Sequence, residues 1–137
     1  MARTEAHVRV EGVTLAYGDF IIQQNLNFTI HGSDVFIIMC GSGCGKSTVM
    51  RSLTGLLAPK VGRISYNGAS FWELPEEERK CNMRRLGVMY QSGALWSSMT
   101  LRENVELPLE QYTSLSPRQI RKIAAYKLAL VGLTGFD

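Results

Sequence analysis

The sequence predicts an α/β fold in which an N-terminal antiparallel sheet is followed by a partial parallel-sheet core around a phosphate-binding loop. Three observations support this prediction. Apolar and polar residues alternate through the first thirty positions, as in half-buried strands. A continuous apolar run at 35–39 has the composition of a strand buried on both faces of a parallel sheet. A glycine-rich run at 40–48 then leads into a segment with helical periodicity.

Length and composition exclude several classes of protein. The chain of 137 residues can form one domain with a core, and 45% hydrophobic with 20% charged residues is typical of soluble globular proteins. A net charge of +3 from dispersed basic residues argues against a nucleic-acid partner. The longest apolar run is about six residues, whereas a membrane span needs roughly 20, and the N-terminus has no signal-peptide core. We therefore expect a cytoplasmic chain with reduced cysteines.

The first thirty residues predict antiparallel strands joined by a turn at Gly18 and Asp19. After the glycine-rich run, a helix over about 46–57 would place Val49, Leu53 and Leu56 on one side. A short strand around 64–66 then ends at the turn signal Asn-Gly.

Helices dominate the predictions for the later residues. Pro75 opens a helix with an acidic first turn, and a buried strand is expected at 86–90. A capping box at Thr100 starts a short helix that Pro108 should end. A second capping box at Ser116 starts a helix that Gly132 should stop. That helix should bury one apolar face, formed by Ile120, Ile123, Ala124, Leu128 and Val131.

The glycine-rich run carries the chemistry. It consists of Cys40, Gly41, Ser42, Gly43, Cys44, Gly45, Lys46, Ser47 and Thr48. Glycines let successive N–H groups point into one hollow, and the helix N-terminus adds a positive dipole end, so the segment suits phosphate. Lys46 is expected to reach the outer phosphates and the Ser47 hydroxyl to bind Mg²⁺.

Cys40 departs from the usual pattern of such loops, which has glycine at this position. If the position requires a positive φ, a cysteine there costs about 1–3 kcal/mol, and its replacement by glycine should tighten nucleotide binding. A thiol beside the phosphates is also a candidate for oxidation, with Lys46 as the activating neighbour.

Taken in order, these segments resemble the nucleotide-binding subunits of ABC transporters, which have a P-loop NTPase fold. The resemblance implies ATP and Mg²⁺ as cofactors, and it covers nearly the whole chain. It places Tyr17 where an aromatic ring stacks on adenine, residues 40–48 at the phosphates, and residues 62–68 in the following strand and turn. Gln91 corresponds to the Q-loop glutamine, which would contact Mg²⁺ and the attacking water. By this resemblance, Lys46 and Gln91 are the catalytic candidates, and Gln91 and Ser47 the metal ligands.

Within that family, the segments after Gln91 and around Val105 look most similar to the ATPases of Mla/Mce-type phospholipid transporters. The resemblance implies an antiparallel β part at 1–33, a P-loop core at 34–91, and a Q-loop region with the start of a helical subdomain at 92–137. It further implies a second nucleotide-binding subunit and an integral membrane permease as partners. The location would be cytoplasmic, peripheral to the inner membrane through the permease.

Three family motifs do not occur in 1–137: a Leu-Ser-Gly-Gly signature, an apolar strand ending in Asp-Glu, and a switch histidine. We therefore expect the N-terminal portion of one nucleotide-binding domain, unable to hydrolyse ATP alone and prone to self-association. The alternatives are a non-catalytic nucleotide-binding or permease-docking fragment and a small P-loop kinase. The strands that precede the loop argue against the kinase.

Overall fold

The structure is a computed structural model that describes residues 6–135, which form two compact units divided between Leu86 and Gly87. Each unit is described separately. Within 6–135, no helix combines the length and the apolar character that crossing a membrane requires.

The first unit is built on a four-stranded sheet with the strand order β2-β1-β3-β4, in which every neighbouring pair is antiparallel. Its elements are β1 (Ala6–Tyr17), β2 (Phe20–His31), α1 (Lys46–Leu53), β3 (Val61–Tyr66), β4 (Ala69–Ser70) and α2 (Glu76–Met83). The predicted N-terminal antiparallel strands and both turns, at Gly18-Asp19 and at Asn67-Gly68, are confirmed.

A β-bulge lets β1 bury one face along its whole length. The buried positions shift by one residue between Val10 and Val13, and the pairing register with β2 shifts at the same place. Gly12 lies in the bulge with a φ of 58°, and its N–H donates to Asn27 Oδ1 at 2.8 Å. A Cβ on Gly62 of β3 would lie 2.5 Å from the Gly12 carbonyl oxygen of β1. Only glycine at position 62 therefore allows β1 and β3 to approach so closely.

The core of the first unit lies between the sheet and α1. Its buried members are Val8, Val10, Val13, Leu15, Val49 and Ile64. Val49 is the buried apolar residue that α1 supplies, and it holds the helix on the face of β1. Each such buried aliphatic side chain contributes about 1.5–3 kcal/mol relative to its exposed state. This packing fixes the direction in which the first turn of α1 points.

The helix α1 ends at Leu53, so the prediction that it continues to about 57 is wrong. Gly55 has a φ of 80°, the Gly55 N–H donates to Ser52 O, and the Leu56 N–H donates to Arg51 O at 2.8 Å. This pair of hydrogen bonds is a Schellman motif, which closes a helix at a left-handed glycine. Leu56 consequently lies outside the helix and is 57% exposed.

The strands predicted at 35–39 and 86–90 do not form in this chain. Val35, Met39 and Met89 are 91%, 84% and 98% exposed. A parallel strand needs a neighbouring strand to satisfy its backbone N–H and C=O groups, and within 6–135 no strand pairs with either segment. The apolar composition predicted burial, but burial depends on a partner strand.

The second unit contains α3 (Leu101–Tyr112) and α4 (Pro117–Leu130), which pack against each other. Both predicted capping boxes are present, at Thr100 and at Ser116. The prediction that Pro108 ends α3 is wrong, because the helix continues to Tyr112. Pro108 lies on the exposed side, where the carbonyl deprived of its N–H partner can be hydrated.

The helix α4 buries Ile120, Ala124 and Leu128, as its periodicity predicts. Val131 does not belong to this face, because it follows the last helical residue and is 70% exposed. Gly132, with a φ of 78°, stops the helix, and the Leu133 N–H donates to Leu128 O at 2.9 Å. The predicted stop at this glycine is therefore confirmed.

Replacement of Leu15 by alanine should destabilise the first unit by about 2–5 kcal/mol, because this side chain is fully buried and its loss leaves a cavity. Urea denaturation followed by circular dichroism measures the change. Leu56→Ala is the matched control, since Leu56 is 57% exposed and its truncation should cost less than about 0.5 kcal/mol. Equal losses in the two variants would contradict the assignment of Leu15 to the core.

The exposed apolar residues at 35–39 should make the chain self-associate, because unpaired backbone and apolar side chains favour pairing between chains. Size-exclusion chromatography with light scattering should find dimers or larger species. Replacing Ile37 and Met39 together by lysine should shift the distribution towards monomer. Val131→Lys is the control, since Val131 is an equally exposed apolar residue outside the segment. A stable monomeric parent chain would contradict this prediction.

Candidate functional site

The glycine-rich run forms an irregular loop at 40–45 that leads directly into α1 at Lys46. Gly43 and Gly45 have φ values of 78° and 94°, in the left-handed region that glycine adopts at little cost. Gly45 is the N-cap of α1, and no side chain caps the helix. The N–H groups of the first turn therefore keep their capacity to bind an anion.

The strand β2 holds this loop in place. A Cβ on Gly45 would lie 2.5 Å from Ile22 Cγ2, so β2 touches the loop where any larger residue would collide with it. Gln23 Nε2 donates a hydrogen bond to the Cys44 carbonyl from the same strand. By contrast, a Cβ on Gly41 or Gly43 would meet nothing within 4 Å. One side of the loop is thus fixed by β2, and the other side is open to a ligand.

Lys46 folds back over the loop. Its Nζ donates to Cys40 O at 2.8 Å and to Gly41 O at 2.7 Å. The same ammonium lies 3.8 Å from Cys40 Sγ and 3.7 Å from Cys44 Sγ. The Lys46 ammonium is therefore held at the loop by two backbone carbonyls. Phosphate oxygens can replace these carbonyls as its hydrogen-bond acceptors.

Cys40 and Cys44 lie opposite each other across the loop, and the expectation that both thiols are reduced stays a prediction. The loop turns back on itself over four residues and brings the two Cα atoms to 6.3 Å, within the range that a disulfide can span. Cys40 does not have a positive φ. The backbone strain considered for a cysteine at this position is therefore not present here.

Ser47 and Thr48 occupy the first turn of α1, with Ser47 exposed and Thr48 buried. Tyr17, the last residue of β1, lies beside this helix, and its hydroxyl accepts a hydrogen bond from Arg51 Nη1 at 3.2 Å. Hydrogen bonds from Arg51 and then Thr48 lower the pKa of Tyr17. Tyr17 as a whole is 46% exposed, so part of the residue is accessible to a ligand.

Gln91 lies in the second unit, in a turn, with an exposed side chain. The structure thus brings together Tyr17 and residues 40–48 in the first unit, whereas the assignment of Gln91 as a metal and water ligand stays a prediction.

Sequence reasoning missed the residues that hold the site from outside the loop. Gln23 and Ile22 of β2 position the loop, and Arg51 orients Tyr17. No local signal marks Ile22 and Gln23, because their contacts arise only when the hairpin brings β2 against the loop. Arg51 carried one usable signal, since it lies on α1 four residues after Ser47 and hence near the same helix face.

The site fits Mg²⁺-bound nucleoside phosphates on three features: uncapped N–H groups, an open loop face and an ammonium within the loop. Residues 41–48 would surround the phosphates. The Ser47 hydroxyl, which is exposed at the mouth of the loop, would provide an oxygen ligand of the kind Mg²⁺ prefers.

Comparison with known proteins agrees with this geometry. A family model described as ABC transporter matches residues 23–136. The chain is 38% identical over 128 residues to a probable ribonucleotide transport ATP-binding protein, Mkl, of Mycobacterium tuberculosis, covering 93% of this chain and 36% of the relative. It is 34% identical to the intermembrane phospholipid transport system ATP-binding protein MlaF of Haemophilus influenzae, covering 93% and 48%. This confirms the predicted likeness to Mla-type proteins.

Among solved structures, the ATP-binding cassette MJ0796, in a dimeric post-hydrolysis state with ADP and Pi, matches with a TM-score of 0.82 and 30% identity. The match covers 93% of this chain and 58% of that cassette. The chain spans between about a third and a half of the length of the curated relatives named above. It belongs to the ABC transporter family and has the P-loop fold of that family's ATP-binding cassettes.

Proposed function

We propose that this chain provides the phosphate-binding part of the ATP site in an ABC transporter ATPase. The observation that carries the proposal is the loop at 40–45, with uncapped N–H groups at the start of α1 and the Lys46 ammonium lying across it. This arrangement presents concentrated positive potential to a polyphosphate and leaves the opposite side of the loop open.

Each residue of the site has a distinct part in this proposal. Lys46 exchanges its contacts with loop carbonyls for contacts with the outer phosphates, and the loop N–H groups hold the phosphate oxygens. When bound, Mg²⁺ neutralises phosphate charge, with Ser47 and Gln91 as its protein ligands. Gln91 also orients the attacking water. The exposed ring of Tyr17 stacks on adenine.

We propose that ATP hydrolysis takes place only in the complete transporter. Hydrolysis in such a site needs a group that positions water and a second clamp on the γ-phosphate. The sequence contains no Leu-Ser-Gly-Gly and no Asp-Glu pair, and its two histidines both precede the loop. The chain therefore binds ATP, and turnover requires a second nucleotide-binding subunit and a membrane permease. Its location is cytoplasmic, at the inner face of the membrane through that permease.

The names of the relatives suggest two classes of transported solute. MlaF is named for phospholipid transport and Mkl for ribonucleotide transport. The similarity to MlaF and the segments after Gln91 favour a lipid.

A second candidate function is docking to a permease without catalysis. The observation that favours it is the exposed apolar surface of the second unit near Gln91, where Tyr90, Leu95 and Trp96 are 52%, 61% and 64% exposed. Large exposed apolar and aromatic side chains are typical of protein contacts. In this alternative, loss of nucleotide binding leaves the docking intact.

Replacement of Lys46 by alanine should weaken Mg²⁺-ATP binding by about 10- to 150-fold, because hydrogen bonds from a charged group contribute about 1.5–3 kcal/mol. Calorimetric titration in the presence of a thiol reductant measures the affinity. Lys80→Ala is the matched control, since Lys80 is an exposed lysine of α2 that pairs with Glu76 at 2.8 Å and belongs to no part of the proposed site. Equal affinities for the Lys46 variant and the parent chain would contradict the proposed site.

The isolated chain should release no phosphate from ATP above the rate in buffer, because the groups that position water and clamp the γ-phosphate are not in its sequence. A Mg²⁺-dependent phosphate-release assay checks this. Turnover that disappears in Lys46→Ala would show that the chain alone is an active enzyme. Transfer of the phosphate to a second substrate would instead support the kinase alternative.

A further inference from the structure

We propose that a cleft between α3 and α4 binds the terminal phosphate group of an anionic ligand. The cleft belongs to the second unit and shares no residue with the loop at 40–45, so it adds a second anion site to the nucleotide site proposed above. Its volume is about 330 Å³. Four basic residues and one small residue line it: Arg102, Arg118, Arg121, Lys122 and Ala125.

Helical spacing brings three of the cations to one face of α4. Arg118, Arg121 and Lys122 stand at i, i+3 and i+4, positions that are neighbours on a helix surface, and all three are exposed. Ala125 continues the same row, and its short side chain leaves the cleft open. Because other residues form the buried face of α4, the helix packs against α3 and still presents the three cations.

The fourth cation comes from α3. Arg102 Nε lies 3.7 Å from Glu106 Oε1, an ion pair between residues one turn apart on that helix. Across the cleft, Arg121 Nε donates to the Pro117 carbonyl at 3.3 Å, which directs this side chain towards the N-terminus of α4. One arginine of each helix is thus oriented by a contact within its own helix, which lowers the entropy that a ligand has to remove on binding.

The cations of α4 have no carboxylate to balance them. Within residues 6–135, Arg118, Arg121 and Lys122 form no ion pair, and α4 itself contains no acidic residue. Like charges at i, i+3 and i+4 repel, and Arg118 also lies in the first turn, at the positive end of the helix dipole. The arrangement costs folding stability, and costs of this kind are expected at functional sites. An anion in the cleft would relieve the repulsion.

The number and type of donors favour a phosphate over a carboxylate. Three of the four cations are arginines, whose planar guanidinium groups bind pairs of phosphate oxygens with two parallel hydrogen bonds. A terminal phosphate carries up to two charges and three acceptor oxygens, so it can engage several of these groups at once. The same chemistry occurs in the headgroup of phosphatidic acid and in free phosphates, and the test separates these two sources.

The test uses the full 137-residue chain carrying Lys46→Ala, so that the proposed nucleotide site does not bind the probes. Calorimetric titration with inorganic tripolyphosphate measures binding of a free phosphate. Flotation with vesicles of phosphatidylcholine, with or without phosphatidic acid, measures binding to a lipid headgroup, and self-associated protein that binds no vesicle does not float. We expect binding in at least one of the two assays, and flotation only where phosphatidic acid is present.

The cleft variant replaces Arg118, Arg121 and Lys122 together by glutamine and keeps Arg102, which pairs with Glu106. It should weaken the observed binding at least about tenfold, which corresponds to the loss of one charge-assisted contact. The replaced cations are exposed and repel one another, so the variant should unfold at the same or a higher urea concentration than the Lys46→Ala chain. This second measurement separates loss of the site from loss of the fold.

The matched control replaces Arg9, Arg85 and Lys127 by glutamine in the same background. It removes the same number of arginines and lysines from exposed positions outside the cleft, and it should bind as the Lys46→Ala chain does. Equal losses in the two variants would show that net charge alone attracts the anions and would overturn the site, as would binding in neither assay.

Either single positive assay supports the cleft and identifies its ligand. Binding of tripolyphosphate alone indicates a soluble phosphate, and flotation alone indicates a lipid headgroup. Since Lys46 is replaced throughout, the result does not depend on the nucleotide site, and a failure here leaves the proposed function standing.

Discussion

The packing of α1 on β1 is the constraint on which the rest of the first unit depends. The bulge at Gly12 keeps Val10 and Leu15 on the same face, so a strand of 12 residues can bury a continuous apolar surface. Val49 fits against that surface and fixes the helix axis. Since the loop at 40–45 is covalently joined to the first turn of α1, the core decides where the uncapped N–H groups point.

Two elements hold the loop in place, α1 at its end and β2 at its side, and they act on different atoms. The helix orients the N–H groups, whereas Ile22 and Gln23 hold the backbone of Gly45 and Cys44 from the side. Rigid support on one side with open space on the other is the arrangement that preorganises a binding loop without blocking its ligand. This support reaches Cys44 and Gly45 only, since a Cβ on Gly41 or Gly43 would meet nothing within 4 Å.

Most features that depend on a local signal were predicted correctly, with the end of α1 at Gly55 as the exception. The hairpin, the Asn67-Gly68 turn, both capping boxes and the stop at Gly132 depend on a few adjacent residues, and all formed. Predictions failed where the outcome depends on distant partners. Strands at 35–39 and 86–90 need a neighbouring strand, and Pro108 is tolerated because its side of α3 is exposed. Lys46 and its loop were identified from sequence, but the contacts that Ile22 and Gln23 of β2 make with the loop exist only in three dimensions.

Lys46 links the empty loop to the occupied one, because its few donors serve both states. In the structure its ammonium donates to Cys40 O and Gly41 O. Under the proposed function phosphate oxygens take those donors, and the two carbonyls lose a charged partner. The affinity for nucleotide is therefore the difference between two sets of charge-assisted hydrogen bonds, and it is smaller than the phosphate contacts alone would give.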